Sequence, residues 1–228
     1  MFDFRPIEIA DRDRINACLA VSDYRGCEYS FANNLAWRRL ADTVIDFYND
    51  FYISCSFYDG DPYFTFPTGV KTDESGREKY IELFEKLKKY TADMGKTFAL
   101  TSVSAEAVEW LKEYYGDSLK VEAERGSFDY IYESSDLIAL SGKKYHGKRN
   151  HIKRFKENDW SFKLLTPDDF DECTAFAADS YDSSDKNDFS AAVEQYAIYI
   201  FFKYYDYLGL KGGALYCNGK MAGFTIGE

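Results

Sequence analysis

Apolar residues recur along this chain with two different periods. Over residues 4–9, 43–48, 51–58 and 62–66 they alternate with polar ones, as half-buried strands require. Asp59 and Gly60, between the last two, form a tight-hairpin signal. Elsewhere they recur every three or four positions, the period of an amphipathic helix. The longest such stretch carries Tyr80, Leu83, Phe84, Leu87, Tyr90 and Met94, and opens on a capping-box sequence at Ser75, Gly76, Arg77 and Glu78. Further helices are predicted over 11–21, around Trp37, and after Ser104, whose hydroxyl can cap a helix carrying Val108, Leu111 and Tyr115. Strands over 97–101, 119–123 and 128–132 complete this part.

The pattern then restarts. Residues 161–165 read as a strand, and Thr166, Pro167, Asp168 and Asp169 supply a cap, a first-turn proline and first-turn acids. A helix carries Val193, Tyr196, Ala197, Ile200, Phe201, Tyr204 and Leu208; its spacing points to core packing, not to a base-stacking platform. Strands over 210–217 and 221–226 are joined by Asn218 and Gly219. From Arg5 to the turn residue Asp59 is 54 residues, and from Lys163 to the turn residue Asn218 is 55. Strand, helices and hairpin therefore recur in the same order, the signature of a structural duplication. The alternative is one α+β domain with a coincidental spacing. The duplicated reading gives an α+β chain in three parts: a first lobe at 1–141, a basic connecting helix at 142–158, and the N-terminal part of a second lobe at 159–228. The second lobe is expected to be truncated, because only nine residues follow its hairpin turn.

Composition narrows the class. Of the 228 residues 46% are hydrophobic, ample for a buried core, and 29% are charged, as in a soluble globular protein. No apolar run approaches the roughly 20 residues that cross a bilayer. The N-terminus lacks the pattern of a signal peptide. The five cysteines are odd in number and widely spaced, which reads as reduced thiols and a cytoplasmic location. No metal site is expected, because neither histidine has a cysteine at ligand spacing. No tightly bound cofactor is expected, and neither a P-loop, a nucleophile elbow nor a dinucleotide fingerprint occurs. Oligomeric state is not legible.

Charge changes the picture most. The net charge is −11, yet residues 143–156 hold seven basic residues and no acidic one; without them the balance is −18. Both histidines, His146 and His151, lie in the same stretch. Such a local reversal points to an anionic partner: phosphate, nucleic acid or an acyl-carrier nucleotide. On a helix from 145 to 157, Lys148, Ile152 and Phe155 share one stripe. Arg149, Lys153 and Lys156 share a neighbouring one, with His146 and Asn150 close to it. Ile152 and Phe155 are expected to anchor the helix while the cations face outward. Lys143, Lys144, Lys148, Arg149, Asn150, Lys153 and Arg154 form the expected anion-binding set. The alternative is a solvated helix that links two lobes by pairing with acidic neighbours. His146 is a candidate general base, because imidazole titrates near neutral pH. Glu28, among Tyr29, Phe31 and Trp37, is a second acid–base candidate; a hydrogen-bonding role is the alternative for each.

Two motifs carry a resemblance. One is Cys27, Glu28, Tyr29, Ser30, Phe31, Ala32 and Asn33; the other runs from Gly142 through His146, Arg149 and Asn150 to Ile152. Together they resemble the soluble bacterial proteins related to the C-terminal domain of phosphatidylglycerol lysyltransferase. The likeness covers essentially the whole chain. It implies tandem GNAT-like lobes with mostly antiparallel sheets, related to the Fem-type aminoacyltransferases. It further implies transfer of an aminoacyl or acyl group, with aminoacyl-tRNA or acyl-CoA as donor substrate. The implied partners are tRNA or a nucleotide phosphate, and a peripheral lipid acceptor. Family members continue beyond the length of this chain, which places the activity in a longer parent. A non-catalytic module that binds RNA or an anionic head group through the basic helix is the alternative.

Overall fold

The computed structural model describes residues 2–22, 24–182 and 189–228. It divides into two compact units, Met1–Ser127 and Phe128–Glu228. The fold class is α+β, as expected.

In the first unit the elements run β1 (Arg5–Pro6), α1 (Arg12–Ser22), α2 (Phe31–Trp37), β2 (Val44–Tyr48), β3 (Phe51–Tyr58), β4 (Asp61–Thr65), α3 (Glu74–Asp93), β5 (Leu100–Thr101) and α4 (Ala105–Tyr115). The strands form one sheet in the order β1-β2-β3-β4-β5. Its first four members are antiparallel; β5 lies parallel to β4, with Phe64 beside Leu100 and Thr65 beside Thr101. The α3 helix is the crossover that a parallel pair requires. Its apolar stripe of Tyr80, Leu83, Phe84 and Leu87 packs with Phe51, Ile53, Cys55, Phe64 and Phe66 in one buried cluster, closed by Trp110 and Leu111 of α4. Alternation along β3 sends Tyr52 and Ser54 to the opposite face, where Tyr52 meets Phe47 and the Arg14 guanidinium of α1 lies 3.7 Å from the Phe47 ring centre.

Local chemistry sets the helix boundaries. The α3 cap is Asp73, two residues before the expected Ser75: its carboxylate accepts from the Gly76 amide at 2.9 Å. Gly76 is demanded by packing, since a Cβ there would sit 1.8 Å from the Lys71 carbonyl oxygen. The Ser104 hydroxyl caps α4 as expected, accepting from the Ala107 amide at 3.1 Å.

Four strand expectations are corrected. The strand over 4–9 shrinks to Arg5–Pro6, and Pro6 offers no ladder N–H. The strand over 97–101 shrinks to Leu100–Thr101. Residues 119–123 and 128–132 form no strand and, apart from half-buried Leu119, are exposed; apolar alternation makes a strand only where a neighbour supplies ladder hydrogen bonds.

The second unit contains α5 (Ser134–Ala139), α6 (His146–Phe155), β6 (Trp160–Leu164), α7 (Phe170–Asp182), α8 (Phe189–Lys203), α9 (Tyr205–Leu208), β7 (Lys211–Cys217) and β8 (Lys220–Gly227). Its three strands form an antiparallel sheet in the order β6-β7-β8. Phe176 of α7 and Phe202 of α8 pack on Phe224 of β8, while the β6 residues Phe162 and Leu164 stay exposed. The expected helix through Leu208 breaks at Tyr204, and its apolar positions Val193, Ala197 and Ile200 are buried.

The two units share one local device. In the first, the Arg5 guanidinium grips the buried Asp11 carboxylate at 2.6 and 2.8 Å, and that carboxylate also accepts from the Glu8 amide at 2.9 Å. In the second, the Lys163 ammonium pairs with buried Asp169, which accepts from the Thr166 amide at 2.9 Å and the Thr166 hydroxyl at 3.1 Å. A buried apolar residue, Ile7 or Leu165, lies between the cation and the cap. Each Asp ends a single 3-10 turn, Ile9–Asp11 or Pro167–Asp169, that leads from its strand into the next helix, α1 or α7. Strand pairing corrects the expected match of turns. The strand beside β1 is β2 and the strand beside β6 is β7, so the counterpart of the Asn218 turn is the turn at Asn49 rather than at Asp59. Asn49 and Asn218 both adopt left-handed backbone, at φ of 50° and 52°.

Candidate functional site

The two motifs fall in different units. In the first unit, Cys27–Tyr29 is a 3-10 turn and α2 follows, capped by the Ser30 hydroxyl, which accepts from the Asn33 amide at 3.0 Å. Asn33 and Asn34 fold their side chains back over the turn: the Asn33 amide donates to the Cys27 carbonyl and the Asn34 amide to the Glu28 carbonyl, each at 3.0 Å. Asn34 also reaches the Tyr52 hydroxyl at 3.3 Å. Glu28 is half-buried, and its backbone is thereby part of this turn.

Tyr29 ties the segment to the sheet. Its hydroxyl donates at 2.7 Å to the carbonyl of Ser102, just past the end of β5. Ser102 holds a left-handed φ of 56°, a strained conformation for serine. Tyr24 packs on Tyr29 and Phe66, and the Tyr80 hydroxyl donates at 2.9 Å to the carbonyls of Pro67 and Val70. Burial holds the Tyr29, Tyr52 and Tyr80 phenols far above their usual pKa, so they remain protonated donors. The Thr68 hydroxyl, just past β4, is buried with no hydrogen-bond partner. This end of the parallel β4–β5 pair is the polar floor of the first unit. A separate cleft of about 460 Å³ lies between α3 and α4, lined by Arg77, Glu78, Trp110, Glu113 and Tyr114.

In the second unit the basic stretch is a 3-10 turn at Lys143–Tyr145 followed by α6. The expected anchoring is corrected. Ile152 is 42% exposed and Phe155 is half-buried against Trp160, whereas Tyr145 is buried. Tyr145 and Lys144 both hold Asp136 of α5, at 3.3 and 3.0 Å. That contact keeps the Asp136 carboxyl below its usual range, chiefly through the Lys144 hydrogen bond.

Arg149 is exposed, but its guanidinium is turned onto the backbone. It donates to the Leu140 carbonyl and, at 2.8 Å, to the Gly142 carbonyl. Leu140 ends α5 in the left-handed region at φ 47°, a costly place for a non-glycine residue. The guanidinium thus clamps a strained turn. His146 opens α6, is exposed, and shares a 3.1 Å hydrogen bond with Asn150. Lys143, Lys148, Lys153 and Arg154 are exposed. Of the expected anion-binding set, Lys144, Arg149 and Asn150 therefore have structural partners, and four cations point to solvent. Sequence spacing gave no sign of the Arg149 clamp or of the Tyr29–Ser102 bond. Both depend on backbone carbonyls, which carry no residue signature.

The family model described as phosphatidylglycerol lysyltransferase, C-terminal, matches residues 19–228. The chain belongs to this family. No curated protein matches it. A solved conserved protein of unknown function from Bacteroides thetaiotaomicron is 31% identical, with a TM-score of 0.86 over 100% of this chain and 75% of that one. The C-terminal domain of a candidate lysylphosphatidylglycerol synthetase from Agrobacterium fabrum gives a TM-score of 0.52 at 14% identity. There the chain spans 94% of its own length and 63% of the other's, and the likeness shows the fold alone. Family membership corrects the cytoplasmic expectation. The enzyme that names the family acts on phosphatidylglycerol, a lipid, and this overturns a plain cytoplasmic assignment. Among the described residues no helix is long and apolar enough to cross a membrane.

Proposed function

We propose that this chain serves aminoacyl-group transfer, each unit being a GNAT-like lobe, with the phosphates of an aminoacyl-tRNA donor seated along α6. The observation that carries the reading is the exposed cation set Lys143, Lys148, Lys153 and Arg154, on a helix clamped by Arg149 and Tyr145, in a member of this family. Exposed cations spaced along and just before the helix suit contact with several phosphates of one backbone. The lobe assignment is supported by the parallel β4–β5 pair after four antiparallel strands, and by the Arg5–Asp11 device recurring as Lys163–Asp169.

In the proposed reaction an acceptor hydroxyl or amine attacks the ester carbonyl of the aminoacyl-tRNA. A new ester or amide bond forms, the bond to the terminal ribose breaks, and the acceptor's proton ends on the ribose oxygen. Such transfer rests on placing the two substrates together and needs no protein nucleophile.

Gel-shift and thermal-shift titrations with charged tRNA, uncharged tRNA and acyl-CoA test this at two salt concentrations. Charged tRNA should bind more tightly than uncharged. Four phosphate contacts should give a log K against log salt slope of about −3. The double variant Lys148→Gln, Lys153→Gln should weaken binding without lowering Tm. Stabilisation by acyl-CoA alone would replace the donor. Equal binding of both tRNA forms, with no aminoacyl transfer to phosphatidylglycerol, would favour a non-catalytic RNA-binding module.

A further inference from the structure

The cleft between α3 and α4 is built from one face of each helix. On α3, Ile81 follows Glu78 by three residues and Arg77 by four; on α4, Glu113 and Tyr114 follow Trp110 by three and four. Residues at these spacings are neighbours on a helix surface. The volume of about 460 Å³ falls in the range of small-molecule sites. The wall is apolar: Trp110 is buried, Ile81 packs half-buried against the core, and Tyr114 is 61% exposed.

Three charges line the same cleft without pairing with one another. Arg77 Nε donates to the Thr72 carbonyl at 3.1 Å, and the guanidinium carbon lies 5.7 Å from the centre of the Trp110 ring. These two contacts hold the head in place. They leave its two terminal nitrogens without a hydrogen bond among the described residues. Glu78 and Glu113 are exposed and make no ion pair among those residues. The Trp110 indole N–H is buried with no acceptor. The cleft thus combines unused N–H donors and unused carboxylates around an apolar wall.

We propose that this cleft binds a free α-amino acid. The Arg77 fork takes the α-carboxylate through its two terminal nitrogens, a match of planar donor and planar acceptor. The carboxylates of Glu78 and Glu113 take the α-ammonium, and the side chain lies on Tyr114 and Ile81. Arg77 is held before the ligand arrives, which lowers the ordering cost of binding. Two carboxylates against one guanidinium reject an acidic side chain and admit an apolar or cationic one. The ligand is not the donor of the proposed function. In an aminoacyl-tRNA the carboxyl is esterified to ribose and offers Arg77 no carboxylate, so the site stands or falls independently of that reading.

Isothermal titration of the full chain with L-phenylalanine, L-lysine and L-glutamate tests the site. L-Phenylalanine and L-lysine should bind with a Kd of about 1 mM or tighter. L-Glutamate should bind at least about tenfold more weakly, and so should L-phenylalanine methyl ester, which lacks the carboxylate, and 3-phenylpropionate, which lacks the ammonium, each losing a charge-assisted hydrogen bond. Arg77→Lys keeps the charge but not the fork and should weaken L-phenylalanine about tenfold. Glu113→Gln alters an exposed residue, so it should keep the thermal transition while weakening binding to a similar extent. Lys112→Gln, one position from Glu113 but outside the cleft, should bind like the parent. No binding of either L-phenylalanine or L-lysine would overturn the proposal, as would a Glu113→Gln variant that binds as well as the parent. A methyl ester that binds as tightly as the free amino acid would overturn it in favour of a simple amine site.

Discussion

Replacing Tyr29 with phenylalanine isolates the bond that ties the Cys27–Asn34 turn to the end of the parallel strand pair. The substitution removes one hydroxyl and leaves the ring, so contacts with Tyr24 survive, with ring centres 5.1 Å apart. No cavity of consequence opens. The loss is a 2.7 Å hydrogen bond to the Ser102 carbonyl, worth about 1 kcal/mol net. The carbonyl it abandons is half-buried and adds a desolvation cost, which brings the expected loss to roughly 1.5–2.5 kcal/mol. Burial keeps the phenol protonated, so the effect should be constant across neutral and mildly alkaline pH. The assay is urea unfolding followed by the fluorescence of Trp37 and Trp110, both in the first unit. With an m value of about 2.5 kcal/mol/M, the midpoint should fall by about 0.6–1 M. A shift below about 0.2 M would refute the reasoning, because it would mean that water replaces the hydroxyl without cost and that the turn is held by its asparagines alone.

Other outcomes follow from the same geometry. Asp11 is held below its usual pKa mainly by the Arg5 hydrogen bond, so its stabilisation is full above the unfolded carboxyl range and is lost as pH falls through the lowered folded value. Asp11→Asn should therefore lower Tm at pH 7 and change little at pH 2, and Asp169→Asn, whose carboxyl is lowered chiefly by Lys163, should follow the same course. Gly76→Ala should cost about 1–3 kcal/mol in a denaturant titration, because its Cβ must displace the Lys71 carbonyl. Arg149→Met should raise hydrogen exchange across α5, since it frees the Leu140 and Gly142 carbonyls, whereas Lys148→Met should leave exchange unchanged.

The hydrophobic pattern was legible wherever packing alone decides structure. The α3 stripe, the β3–β4 hairpin and the buried positions of α8 stand where periodicity put them. It misled at 119–123 and 128–132, where alternation exists without a partner strand. The basic helix was legible in position and nearly in length. Its internal division of labour was not. Side chains that point to solvent and side chains that clamp a carbonyl read alike as Lys or Arg, and only the fold at Leu140 shows that Arg149 is spent on backbone.

The recurring cation–cap–aspartate device shows where a deeper signal was available. Arg5, Glu8 and Asp11 recur as Lys163, Thr166 and Asp169 with each interval kept, although only the aspartate is identical. What is kept is a function of geometry: a cation from the strand, an amide or hydroxyl from the cap, and a carboxylate that satisfies both at the start of a helix. The carboxylate is buried, so losing the cation would leave an uncompensated charge, and losing the cap would orphan a backbone amide. Each member therefore constrains the other two. Chemically equivalent residues can exchange at the cation and cap positions, while the aspartate has no short substitute that accepts from both. An identity search is blind to such a unit. A search for spaced chemical classes, basic then capping then Asp at intervals of three, would find both copies and would align the strands correctly, where matching the Asp59 and Asn218 turns did not.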